Sequence, residues 1–161
     1  SVAKANNYLT LDKGEIDGIK KGMGVISEKG VIGIVKETSK RYSTVLSILH
    51  SQSKLSVAIK KNNHFGSLQW DGKSYKKARI YDIPSHVKLT IGDTVITSGF
   101  SHIFPSKIDL GLISEIDTEN DDKFHKIKMT FIEDLKQLRY VNVCESLNKT
   151  EKINLEKSLD E

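Results

Sequence analysis

Short runs in which apolar side chains fall on every second position fill most of this sequence, and β-branched residues dominate them. Tyr8-Leu9-Thr10-Leu11, Leu55-Ser56-Val57-Ala58-Ile59, Ala78-Arg79-Ile80-Tyr81-Asp82-Ile83 and Tyr140-Val141-Asn142-Val143-Cys144 alternate. Val25-Ile26, Val31 to Val35, Val45 to Leu49, Val95 to Thr97 and Leu110 to Ile113 are nearly continuous. Turn signals separate them: Lys13-Gly14, Asp17-Gly18, Lys29-Gly30, Asn62-Asn63, Asp71-Gly72, Gly92-Asp93 and Asn120-Asp121. About eleven short strands spaced roughly 8–12 residues apart predict an all-β fold of sandwiches or small barrels. Helix is confined to a turn near 133–138 and a charged terminal stretch, 151–159.

A pattern repeats within this rhythm. Ile19-Lys20-Lys21-Gly22-Met23-Gly24-Val25-Ile26-Ser27, Gly33-Ile34-Val35-Lys36-Glu37 and Thr44 to Leu49 are echoed further along the chain. The second copy is Leu89-Thr90-Ile91-Gly92-Asp93-Thr94-Val95-Ile96-Thr97, Gly111-Leu112-Ile113-Ser114-Glu115 and Ile127 to Ile132. Each copy carries a glycine inside its middle strand (Gly33, Gly111), where a small barrel bends sharply or backbones come close. Two small, mostly antiparallel β-barrel subdomains of about 70 residues would remove the open edges that so many short strands create. A sequential division gives a first barrel over 6–73, a second over 74–147 and a charged tail over 148–161. Strand exchange, or insertion of the middle segment into a barrel completed by the C-terminal strands, is the alternative.

Composition narrows the function classes. The chain has 161 residues with 25 Lys and Arg against 21 Asp and Glu, a net charge of +4, which is less one-sided than a dedicated nucleic-acid binder. Hydrophobic residues at 37 % suffice for a core, but no run approaches the roughly 18 apolar residues of a membrane span. A single cysteine, Cys144, rules out an internal disulfide and a multi-cysteine zinc site. With only Pro84 and Pro105 and no Ser/Gly tract, a long linker is not expected. The chain starts at Ser1 without a signal peptide and reads as a fragment or mature form whose targeting or anchoring part lies elsewhere.

Candidate chemistry is sparse. The order His50, Asp82, then Ser98 or Ser101 matches that of chymotrypsin-like proteases, yet Thr97-Ser98-Gly99-Phe100-Ser101 lacks the glycine-rich frame that aims backbone N–H groups at an oxyanion. His50, His64, His86, His102 and His125 stand singly, without metal-ligand spacing, and no cofactor is expected. Gly14-Glu15-Ile16-Asp17-Gly18 and Gly22-Met23-Gly24 lack the lysine and following helix of a phosphate loop. Lys54, Lys60, Lys61, Lys73, Lys76, Lys77 and Arg79 fall near Phe65, Trp70, Tyr75 and Tyr81, a mixture by which small barrels grip single strands. Glu115, Asp117, Glu119, Asp121 and Asp122 oppose that reading, so no nucleic-acid partner is expected. Phe100-Ser101-His102-Ile103-Phe104-Pro105 places Phe100, Ile103 and Phe104 in a connection between strands, where they either tuck across a barrel mouth or offer a patch to another protein.

Several of these segments also resemble a known family. Asn7 to Gly14, Asp17 to Ile26, Gly30 to Val35, Gly92 to Gly99, and Ile103-Phe104-Pro105 followed by Leu110-Gly111-Leu112-Ile113 resemble the extracytoplasmic part of the bacterial rod shape-determining MreC family. The likeness covers about residues 6 to 145, with one departure at Lys107, where that family commonly has glycine in a Pro-x-Gly step. The resemblance implies two small β-barrels outside the cytoplasmic membrane, carried in the whole protein by a membrane helix and a coiled coil that precede this segment. It implies a non-catalytic scaffold of the cell-elongation machinery that binds a class B penicillin-binding protein, the elongation transpeptidase. It further implies contact with MreD and RodZ, an indirect link to the actin-like MreB, and self-association as dimers or arrays. Binding would bury an apolar patch or pair a barrel edge and so bias the transpeptidase toward activity. The residues expected to carry it are Phe100, Ile103 and Phe104, then the strand edge at Leu55, Val57 and Ile59.

Overall fold

A computed structural model describes residues 6–100, 102–119, 121–145 and 155–159. Among the described residues there are eleven strands: β1 (Asn6–Leu11), β2 (Gly24–Ile26), β3 (Val31–Thr38), β4 (Ser43–His50), β5 (Lys54–Ile59), β6 (Phe65–Gln69), β7 (Lys77–Tyr81), β8 (Thr94–Thr97), β9 (Asp109–Asp117), β10 (Lys126–Phe131) and β11 (Asn142–Cys144). The all-β expectation holds. Residues 133–138 form a turn closed by Gln137 N–H on Asp134 O at 3.0 Å. Residues 155–157 form one helical turn, while 151–154 of the expected terminal helix lie outside the described residues.

The strands form a five-stranded sheet in the order β1-β4-β3-β2-β11 and a closed six-stranded barrel in the order β10-β7-β6-β5-β8-β9. All pairings are antiparallel. The division therefore does not fall at 73/74. It falls in the turn after His50, where Ser53 N–H closes on His50 O at 2.9 Å, and β11 then returns to pair with β2. The sheet thus draws its strands from both ends of the described chain, and β5 to β10 of the barrel lie between them in sequence. The physical reason is pairing: β5 and β6 carry the alternation of any strand, but their hydrogen-bond partners are β8 and β7.

The sequence echo is a repeat of register. In the first copy Val25 and Ser47 flank Gly33; in the second Val95 and Phe131 flank Gly111. Both copies have a bulge in the same places, after Val25 and Val95 in one ladder, and between Val35 and Glu37 or between Ile113 and Glu115 in the next. Gly22 N–H donates to Val35 O at 2.9 Å, and Gly92 N–H to Ile113 O at 2.8 Å. A Cβ on Gly33 would overlap the Leu46 carbonyl, and one on Gly111 the Thr130 carbonyl, so neither middle strand tolerates a side chain there. These close approaches let short strands curl tightly around a core.

That core is continuous. Val25, Ile32, Val45 and Leu49 of the sheet join Val57, Ile59, Leu68, Ile80, Val95, Ile113 and Met129 of the barrel in one buried cluster. Where the two units meet, the Phe104 ring lies against the bare Cα of Gly24 in β2, Ser27 Oγ bonds to the Glu133 carboxylate, and Cys144 lies beside Ile103 O at 4.0 Å.

Candidate partner-binding surface

The connection between β8 and β9 is built around one buried hydroxyl. Thr97 Oγ1 donates to Pro105 O at 2.7 Å and accepts from Ile108 N–H at 2.9 Å, while Lys107 N–H donates to Thr97 O at 3.0 Å. These bonds hold the loop so that its apolar residues face two ways. Phe104 turns inward and is 3 % exposed, packed on Gly24. Phe100 turns outward and is 64 % exposed, its ring meeting Phe65 of β6 edge-to-face with centroids 4.7 Å apart and planes at 82°. Phe65 is itself 49 % exposed. Together they form an aromatic ledge on the outer wall of the barrel, a geometry that ring quadrupoles favour. Ser98 supports it from below: its Oγ donates to Ser56 Oγ at 2.8 Å and accepts from Phe100 N–H at 3.2 Å.

Several expectations are corrected here. Phe104 is a core residue, because Gly24 leaves room for its ring. Leu55, Val57 and Ile59 are fully buried, and β5 is paired on both sides, with β6 and β8, so it offers no free edge. Ile103 is partly buried against the core. Only Phe100 of the expected set stands exposed. Phe65, named in the sequence only among the aromatics near the basic residues, joins Phe100 through a contact with a distant loop that alternation along its own strand does not reveal. Lys107 adopts φ of +67°, the left-handed region where glycine is favoured, at a cost of about 1–2 kcal/mol for a side chain.

The residues of the other readings are committed elsewhere. His50 is 2 % exposed at the end of β4, with Nδ1 accepting from Gln52 N–H at 3.0 Å and its ring against Tyr8 at 4.9 Å. Burial, then the Lys36 charge, hold its pKa below the usual histidine value. Asp82 follows β7 in the left-handed region, Ser98 is engaged with Ser56, and Ser101 lies outside the described residues. His64 and His86 approach edge-to-face at 6.5 Å, and both ring nitrogens of His125 are bonded, to Thr118 and Val87. Among the cations, Lys60 pairs with Asp109, Lys61 with Asp93, Lys77 with Glu115 and Arg79 with Asp71 at 2.6 to 3.4 Å. Lys128 and Lys77 together hold the Glu115 carboxyl below its ordinary pKa. Trp70 is buried, donating to Ser74 O at 2.7 Å, so its ring is not presented for base stacking.

Two glycine-bent meanders sharing one core, one in an open five-stranded sheet and one in a closed six-stranded barrel that bears an aromatic ledge on its outer wall, make this an all-β domain of two joined units. The family model for the rod shape-determining protein MreC barrel core matches residues 1–145, and the chain belongs to the MreC family. It is 32 % identical over 144 residues to the cell shape-determining protein MreC of Listeria monocytogenes, covering 86 % of this chain and 48 % of that protein. The chain thus spans about half the length of that relative. Its fold superposes on the crystal structure of MreC from Pseudomonas aeruginosa with a TM-score of 0.81 at 20 % identity, over 87 % of this chain and 90 % of the other. It also superposes on the MreC of Helicobacter pylori solved in complex with the penicillin-binding protein PBP2, with a TM-score of 0.65 at 25 % identity, over 81 % and 82 % of the two chains.

Proposed function

We propose that this domain is a non-catalytic scaffold of the rod-shape machinery that docks a class B penicillin-binding protein outside the cytoplasmic membrane, and that the Phe65–Phe100 ledge is the contact. The observation that carries this reading is two half- to largely exposed phenylalanines locked edge-to-face and backed by a hydrogen-bonded loop. A rigid aromatic pair loses little conformational entropy on binding and supplies a desolvated centre of the kind that dominates interfaces. Family membership and the Helicobacter pylori complex support the choice of partner. Binding would favour the active transpeptidase by its higher affinity for that conformation. The same membership supports contacts with MreD and RodZ, self-association and an anchor in the membrane.

The test is capture of the cognate transpeptidase's extracytoplasmic domain by the wild-type chain and by Phe100→Asp. Burying a carboxylate in place of a ring predicts loss of capture, with thermal stability nearly unchanged because Phe100 is exposed. Undiminished capture by Phe100→Asp and by Phe65→Asp rejects the ledge.

A further inference from the structure

The two units differ by one strand, and the difference leaves a seam. β1 stands to β4 as β7 stands to β10: Leu9 pairs with Val45 and Leu11 with Ser43, matching Ala78 with Met129 and Ile80 with Ile127. β11 stands to β2 as β5 stands to β8: Val143 pairs with Val25, matching Ile59 with Val95. In the barrel β6 bridges β5 and β7, with Leu68 opposite both Leu55 and Ile80. In the sheet β1 and β11 are the two edge strands, and the place of β6 between them is held by none of the described strands. Burial records the consequence. Val57, Ile59, Ala78 and Ile80 are fully buried in the barrel, whereas their counterparts Val141, Val143, Leu9 and Leu11 are only partly buried. A groove of about 470 Å³ runs along β11, walled on the far side by Lys13 and Asp17 after β1 and floored by Ile19.

We propose that this seam binds an extended segment of another polypeptide, which completes the sheet as a sixth strand antiparallel to both β1 and β11. The barrel specifies its chemistry. The segment is small where β6 has Gly66, whose missing Cβ leaves room for the Tyr81 carbonyl, and apolar two residues later where β6 has Leu68. The chain's own continuation matches poorly: counted through a connection as long as that between β5 and β6, it sets Lys152 at the position of Leu68. The seam is separate from the aromatic ledge and does not depend on it.

The probe is a synthetic peptide with the sequence of residues 63–71, the strand that fills the equivalent place, titrated into the full isotope-labelled chain. Saturable amide shifts in β1, β11 and residues 13–18 are expected, and the peptide carrying Leu68→Asp should bind at least about tenfold more weakly. Shifts elsewhere, no saturable binding, or equal binding of the Leu68→Asp peptide overturn the proposal. Cross-strand contacts between β11 and residues 147–154 in the free protein assign the seam to the chain's own tail and overturn it as well.

Discussion

Phe104 and Phe100 lie four residues apart in one loop and do opposite work, and burial decides which is which. Phe104→Ala removes a ring packed on Gly24 and should cost about 3–5 kcal/mol in chemical denaturation, while Phe100→Ala should stay within about 0.5 kcal/mol. Equal losses would contradict the inward and outward division of the loop. His50 gives a pH signature. The unfolded chain takes up a proton there near pH 6.5, whereas burial and Lys36 keep the folded ring neutral to lower pH. Its contribution is therefore complete above pH 6.5 and declines as the pH falls from there toward the lower folded value. His50→Asn, which keeps an acceptor for Gln52 N–H, should flatten the fall in denaturation midpoint between about pH 7.5 and 5 relative to wild type. An unchanged slope would show that His50 is not the group responsible. At this scale the sequence revealed that the loop was apolar but not which ring faced out, since the space for Phe104 is made by a glycine in a different sheet.

At the scale of elements, the bent middle strand is the unit on which both halves depend. Gly111→Ala brings a Cβ into the Thr130 carbonyl and the Met129 side chain, and Gly33→Ala brings one into the Leu46 carbonyl. Each substitution should destabilise by about 2 kcal/mol or more, read as a lower melting temperature, because backbone rather than a side-chain tip must move. Wild-type stability in both variants would remove the argument for tight bending. The echo of these strands was legible because glycine spacing and apolar runs are local features that survive in the sequence. The pairing of β11 with β2 was not legible. Three residues carry too little pattern to specify a partner, and the contact joins distant parts of the chain. For the same reason the boundary expected near residue 73 moved to the turn after His50: alternation identifies a strand, but register and closure select its neighbours.

Over the whole molecule, the insertion of a closed barrel into an open sheet fixes the two units against each other through Gly24–Phe104, Ser27–Glu133 and a shared core. The Phe65–Phe100 ledge stands on the outer wall of the barrel, and its loop runs on to Ile103, whose carbonyl lies 4.0 Å from Cys144 of the edge strand β11. Membership of the MreC family accords with a surface-based role, and four cations of the barrel, Lys60, Lys61, Lys77 and Arg79, are held in ion pairs. The most direct test is amide hydrogen exchange of the full chain with and without the transpeptidase's extracytoplasmic domain. Docking on the ledge predicts new protection concentrated at the start of β6 around Phe65 and in residues 98–104, with β3 and β4 unchanged. Protection confined to the five-stranded sheet, with residues 65 and 98–104 exchanging as in the free protein, would contradict it.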